Sequence, residues 1–208
     1  MSREFSIIIP AHNSADFIDK ALSSIYNQDY NRNLFETIVV CDECNDNTLA
    51  VAQEYTDKTI VTDFGRDGLA RQAGIEKAEG DWLLFMDDDD WWLHEYVLAT
   101  LHDMTCACEP FDLLLFGFIW KGVGNMSPIR TTPDGRTAYW PNVWSKMYRR
   151  KWIQQEDIRF GPERMISDLY FSKSIMRHGP VIYKLHEPLY YYNYMREGSQ
   201  TEVHNREA

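Results

Sequence analysis

Apolar and polar positions follow two alternating periods along the first hundred residues. Residues 5–10, FSIIIP, form a short β-rich run closed by proline. From Ala15 to Asn27 the apolar positions are Phe17, Ile18, Ala21, Leu22, Ile25 and Tyr26, one face of a helix, with Ser14 as its predicted cap. Phe35 to Val40 reads as a second strand. Asn45, Asp46 and Asn47 then predict a turn that caps a helix reaching Tyr55. Thr59 to Thr62 reads as a third strand, Leu69 to Ala78 as a helix stopped at Gly80, and Trp82 to Met86 as a fourth strand. Strands alternating with helices predict an α/β fold: a mostly parallel sheet covered on both faces.

The second half loses this rhythm. Phe111 to Trp120 reads as a strand, Lys121 to Arg136 as a loop rich in Gly, Pro and Thr, and Asn142 to Gln154 and Ile166 to His178 as helices. Val181 to Leu185 and Leu189 to Tyr194 read as short strands, and the tail from Glu197 is polar. No repeat or low-complexity segment interrupts the pattern. The expected division falls between residues 1–105 and 106–208, within one continuous domain.

Composition narrows the partners. A net charge of −11 opposes binding to nucleic acid, and no Lys/Arg-rich run offsets it beyond the short stretch at Arg149, Arg150 and Lys151. The longest apolar run, Phe111 to Trp120, is about half a membrane span. With no signal-like start, a cytoplasmic protein is expected. The four cysteines, Cys41, Cys44, Cys106 and Cys108, are expected to be reduced thiols rather than a zinc site.

The chemistry-bearing stretch is the run of four aspartates from Asp87 to Asp90, directly behind the fourth strand. The carboxyl ends of strands are where open α/β sheets bind ligands. Adjacent carboxylates repel unless a cation sits among them, and Mg²⁺ typically takes one or two carboxylates plus substrate phosphates. The competing reading is an acidic turn capping a helix that starts near Trp92. Neither G-x-x-x-x-G-K-[ST] nor G-x-G-x-x-G is present, so a nucleotide would be held by other means.

Four segments occur in a telling order: 5–13 (FSIIIPAHN), 38–48 (IVVCDECNDNT), 68–75 (GLARQAGI) and 78–90 (AEGDWLLFMDDDD). Together they resemble the family 2 glycosyltransferases, which have the GT-A fold. Segments 144–152 (WSKMYRRKW), Ser167 with Asp168, and 188–194 (PLYYYNY) resemble the acceptor-side half of bacterial polysaccharide members. The resemblance implies an inverting, metal-dependent transfer from a nucleotide-sugar, most simply a UDP-sugar, to a saccharide or lipid-linked acceptor. It also implies peripheral contact with the inner face of a membrane.

Carried over residue by residue, Pro10, Ala11 and Asn13 line the base and ribose pocket, and Asp42 accepts from the uracil N–H. Arg71 reaches the diphosphate. Asp87 and Asp89 are the ends of the family's D-x-D motif, flanking Asp88. Asp89 takes Mn²⁺ or Mg²⁺, and Asp87 faces the ribose or sugar. Asp90 assists or caps a helix. Asp168 is the base, with Glu163 and Glu156 as alternatives. His178 or His186 could complete the metal site. Trp91, Trp92, Trp120, Trp140, Trp144 and Tyr148 could form an acceptor platform. The chain departs from the family at Ala11 (often Thr), at Glu43 and Cys44 (usually Gly-Ser), and at Ser167 (usually Glu). The rival functions are a metal-dependent nucleotidyltransferase, which lacks its basic Gly-rich loop here, and an inactive sugar-nucleotide-binding module.

Overall fold

Every residue of the strand Phe35–Asp42 is buried. A strand buried along its whole length belongs to a parallel sheet covered on both faces. It is β2 in a chain whose first half runs β1 (Phe5–Ala11), α1 (Ile18–Tyr26), β2, α2 (Thr48–Gln53), β3 (Thr59–Thr62), α3 (Asp67–Lys77) and β4 (Trp82–Phe85). The structure is a computed structural model and describes residues 2–56, 58–120, 123–126, 129–131, 137–139, 141–162 and 166–194. The second half supplies β5 (Trp91–Trp92), α4 (Val97–Ala107), β6 (Leu113–Trp120), β7 (Val123–Met126), β8 (Ile129–Thr131) and β9 (Thr137–Tyr139). β10 (Lys146–Arg149), α5 (Arg150–Gln155), α6 (Ser167–Arg177) and β11 (Ile182–Tyr192) follow.

The main sheet has the order β3-β2-β1-β4-β10-β6-β11-β5, with β7 on β6. β3, β2, β1 and β4 are mutually parallel. β10 enters antiparallel between β4 and β6, joining the two halves in one sheet. Alternate residues of β1 build the two faces. Phe5, Ile7, Ile9 and Ala11 pack with α1 and α4, while Ile8 packs with Ala70 and Ile75 of α3 and Phe171 of α6. Glycine lets α3 lie close. A Cβ on Gly74 would stand 2.4 Å from Ile8 Cγ2, and one on Gly68 would stand 2.8 Å from Ser167 Cβ. α3 is thereby seated against both β1 and the start of α6.

Five sequence expectations change. The helix expected over 142–154 is β10 followed by α5, because strand pairing on both sides captures residues 146–149. The loop expected over 121–136 contains β7 and β8. The two strands expected after 181 are one, β11, with irregular register on either side of Pro188. The helix expected near Trp92 starts at Val97, and Trp91–Trp92 pair instead with Tyr191 and Tyr190. Ser14 does not cap α1 with its side chain. Its carbonyl accepts from the N–H groups of Phe17 and Ile18 at 2.9 Å, and its Oγ is buried without a partner among the described residues. Trp140, Glu163 and the tail from Glu197 lie outside the described residues. Among the described residues no helix is long and apolar enough to cross a membrane.

Candidate active site

The carboxyl ends of β1, β2 and β4 meet at one edge of the sheet, and the expected donor-side residues gather there. At the end of β1, His12 ties three segments together. Its ring Nδ1 lies 2.7 Å from the Asp42 carbonyl oxygen, and its backbone N–H donates to Asp88 Oδ2 at 3.2 Å. A carbonyl only accepts, so Nδ1 carries the proton and Nε2 accepts from Asn13 Nδ2 at 3.2 Å. Asn13 adopts a positive φ of 48° and its Oδ1 accepts from Asn45 N at 2.8 Å. Ala11 is buried. Its methyl is part of the core, leaving its carbonyl to accept from Cys44 Sγ at 3.3 Å.

Asp42 is buried and already engaged. Oδ1 accepts from Thr62 Oγ1 (2.9 Å) and Phe64 N (2.7 Å), and Oδ2 from Arg66 N (2.9 Å). A carboxylate offers about four acceptor positions. Asp42 therefore shapes the β3–α3 connection first, and about one position remains for a base N–H. Glu43, at φ 52°, stands where a glycine is usual and turns its carboxylate toward Gly65.

Arg71 sits at the centre of the site, not at its surface. It is 4% exposed. Nη1 donates to Asp67 Oδ2 (2.5 Å) and lies 3.4 Å from Asp168 Oδ1; Nη2 donates to Asp87 Oδ1 (2.7 Å). Burial disfavours its charge, but Asp168, Asp87 and Asp67 outweigh that and hold it cationic. The Arg71 fork joins three aspartates, from α3, the β4 end and α6. Its Nε, and Asp168 Oδ1, are buried without a hydrogen-bond partner among the described residues.

The four aspartates occupy four different surroundings. Burial pushes Asp87 up to about 7, Arg71 opposing and Asp168 and Asp89 adding to the rise. Asp88 accepts from His12 N. Asp89 is partly buried beside them. Asp90 is 0% exposed and turns away from the site. Its Oδ2 accepts from Tyr190 Oη (2.6 Å) and its Oδ1 from Asn193 N (2.8 Å). Asp90 caps no helix. Burial, with Asp87 and Asp89 adding like charge, pushes it well above the usual carboxylate range. Tyr190 Oη also accepts from Asp87 N at 3.1 Å. It anchors both ends of the turn from a strand a hundred residues away, and sequence reasoning did not single it out.

Asp168 lies in the first turn of α6. Its Oδ2 accepts from Val143 N at 3.1 Å. Burial raises its pKa, Arg71 opposing and Asp67 adding. Ser167, at the position where glutamate is usual, donates from Oγ to Asp67 Oδ2 at 3.1 Å and so ties α6 to α3. Lys146, also missed, is buried on β10. It donates to the carbonyl and side-chain oxygens of Asn142, and burial pulls it down to about 7 against the opposing charge of Asp168. The alternative base Glu156 follows α5 and is exposed.

Of the five described members of the expected aromatic platform, three are core. Trp144 is buried and stacks on Tyr190 at 5.0 Å with rings 3° apart; Trp92 and Tyr148 are buried as well. Trp91 stacks on Tyr191 at 4.1 Å, and Trp120 on Tyr194 at 4.5 Å; both are partly exposed. His178 follows the far end of α6 on the Ser174 carbonyl, and His186 is exposed on β11, so neither joins the aspartates.

Hard carboxylate oxygens at the end of β4 fit a divalent cation. Among the described residues no three His, Cys, Asp or Glu side chains converge as a closed metal cage. All four cysteines are free thiols.

A curled mixed sheet with carboxylates gathered where its parallel strands end is the GT-A class of glycosyltransferase architecture. The profile of glycosyl transferase family 2 matches residues 6–173, and the chain belongs to that family. It is 31% identical, over 94% of its own length, to poly(ribitol-phosphate) beta-N-acetylglucosaminyltransferase TarS of Staphylococcus aureus, of which it spans 36%. Residues 1–349 of S. aureus TarS, solved in complex with UDP-GlcNAc, superpose with a TM-score of 0.81 at 27% identity, covering 96% of this chain and 60% of that one. Glucosyl-3-phosphoglycerate synthase of Mycobacterium tuberculosis shares the fold at a TM-score of 0.67 and 16% identity, covering 97% of this chain and 74% of that one.

Proposed function

We propose that the chain is the catalytic domain of an inverting glycosyltransferase that moves a sugar from a UDP-sugar to a hydroxyl of a saccharide or lipid-linked acceptor. One observation carries the reading. A single guanidinium, Arg71, spans from Asp87 behind β4 to Asp168 at the start of α6, so a candidate base sits beside the candidate donor carboxylates. The likeness to TarS makes UDP-GlcNAc the first donor to test and poly(ribitol phosphate) the first acceptor. Family membership sets aside the nucleotidyltransferase alternative.

In this reading Asp168 takes the proton of the acceptor hydroxyl as that oxygen bonds to the anomeric carbon. The bond from that carbon to the diphosphate breaks, and UDP leaves with the electron pair. One base and one direct displacement invert the anomeric centre. Burial suits Asp168 to the task, because it keeps the carboxylate more basic than a solvated one. Arg71 restrains that basicity and holds Asp87 in register. Pro10, Asn13, the Ala11 backbone and the remaining acceptor position of Asp42 frame the base and ribose. Mn²⁺ or Mg²⁺, held by Asp89 and Asp87, would supply charge neutralisation at the departing diphosphate. Residues 1–105 serve the donor and 106–208 the acceptor. A cytoplasmic location at the inner face of the membrane goes with this reading and rests on it.

The test is UDP release from a panel of UDP-, GDP- and dTDP-sugars, with and without Mn²⁺, and with acceptor. Asp168→Asn should lower transfer by about 100- to 10,000-fold while calorimetry still registers UDP binding. Normal turnover in that variant would move the base to another residue. Donor binding without turnover in the wild type would favour the inactive binding module, and no donor binding at all would sink the proposal.

A further inference from the structure

A second cluster of reactive side chains lies at the opposite edge of the sheet, roughly 20 Å from the candidate site by the length of β1. Glu4 precedes β1, and both its oxygens lie 2.9 Å from His102 Nδ1 on α4. Tyr30 Oη and Thr105 Oγ1 also donate to Glu4, the latter at 3.2 Å. A carboxylate only accepts, so His102 Nδ1 carries the proton and Nε2 presents its lone pair when the ring is neutral. That Nε2 lies 3.6 Å from the sulfur of Cys106, one helical turn on. Cys106 is exposed, so a reagent can reach it.

A nucleophile within reach of a base, and a base oriented by a third group, is the arrangement that activates serine and cysteine in covalent catalysis. We infer that Cys106 is a reactive thiol served by His102 as base and Glu4 as orienting carboxylate, forming a modification site for low-molecular-weight disulfides. The Cys106 proton passes to His102 Nε2, and the imidazolium is held by Glu4. The sulfur then attacks one sulfur of the small disulfide. A new S–S bond forms, the old one breaks, and the other half leaves as a thiol after taking a proton from solvent. Cys106 is oxidised to the disulfide level and the leaving half is reduced.

Glu4 from the start of β1 pairs with His102, and Tyr30 from the α1–β2 connection sets its ring 5.8 Å from the imidazole; Glu4, Cys106 and Asp103 of α4 in turn act on Tyr30. Burial and Glu4 hold the Tyr30 phenol protonated, so Tyr30 stays a donor to Glu4. The other thiols serve as internal contrasts. Burial pushes Cys41 up to about 12 and raises Cys44, and Cys108 is half-buried against the core.

The experiment labels the whole chain with iodoacetamide and, separately, with hydroxyethyl disulfide, and follows each cysteine by peptide mass spectrometry near pH 6.5 and pH 9.5. Cys106 should react first with both probes. Near pH 6.5 it should react about tenfold faster in the wild type than in His102→Gln, with Glu4→Gln in between. The difference should close near pH 9.5, where solvent base replaces the need for a neighbouring one. Equal rates in wild type and His102→Gln at both pH values would overturn the inference, as would Cys108 reacting as fast as Cys106. His102→Asn repeats the comparison if His102→Gln does not fold.

Discussion

Replacing Glu36 with glutamine would unfasten the clamp that joins the starts of β1, β2 and β4. The Glu36 side chain is 1% exposed. Its Oε1 accepts from Ser6 Oγ at 2.6 Å and Glu79 N at 2.7 Å. Its Oε2 accepts from Lys58 Nζ and lies 3.2 Å from Arg3 Nη1. Ser6 Oγ in turn accepts from Gly80 N at 2.8 Å. An amide keeps one oxygen and points its NH₂ at donors, so two of the four contacts turn repulsive. A hydrogen bond to a charged group is worth about 1.5–3 kcal/mol. Lys58 and Arg3 are 31% and 37% exposed, so water replaces part of what they lose. The net cost is about 2–3 kcal/mol, or roughly 5–10 °C in melting temperature for a chain of this size. Burial alone would raise the Glu36 pKa, but Lys58, Ser6 and the Glu79 N–H hold it below the usual range. The unfolded value is about 4.3. The stabilisation is therefore whole above that pH and is lost as pH falls through the folded value. Urea unfolding of wild type and Glu36→Gln at pH 7 and at successively lower pH should show a gap that narrows on acidification. A gap independent of pH, or a variant within about 0.5 kcal/mol of wild type at pH 7, would refute the argument.

Other perturbations test other joints. Gly74→Ala drives a methyl into Ile8 and should cost about 1–3 kcal/mol in chemical unfolding; no loss would mean that α3 lies farther from β1. Tyr190→Phe removes the donor to Asp90 and the acceptor from Asp87 N. It should cost about 1–3 kcal/mol in the same assay, with activity falling further than stability explains because the aspartate turn loses its anchor. The acid limb of kcat/KM should lie above the ordinary aspartate range, near 3.9, because burial raises Asp168; activity falls as pH drops through that value. An acid limb at the ordinary value would argue that another group is the base.

How much of this was legible depends on range. β1, β2, β3, α3 and β4 are set by local runs and turn residues, and their positions agree with the apolar pattern within a residue or two. β10 was not legible. Trp144, Met147, Tyr148 and Trp152 recur at helical spacing, yet pairing with β4 and β6 decides for a strand at residues 146–149. β11 passes through Pro188 because the register irregularities there tolerate a residue without an N–H. The candidate site divides in the same way. The i,i+4 pair of Asp67 and Arg71 is a local signal. Asp168, reached through the family resemblance, and Tyr190, which no spacing announces, arrive from distant segments and decide what Arg71 and Asp90 do.

That division explains why four adjacent aspartates are not one site. Successive residues in a turn point in different directions, and three of the four have separate partners: Arg71 for Asp87, the His12 N–H for Asp88, and Tyr190 with Asn193 for Asp90. Asp90 is used up in holding β5 and β11 beside the turn. Arg71 carries one positive charge among Asp67, Asp87 and Asp168; with Asp87 pushed up to about 7 and so only partly ionised, the negative charge rests on Asp67 and Asp168, with Asp88 and Asp89 beside them. A site so charged repels a diphosphate. In the proposed function the divalent ion is therefore a condition for the donor to approach at all, beyond any help it gives the leaving group. The distinction is measurable in principle as binding that fails, rather than turnover that slows, when the metal is chelated.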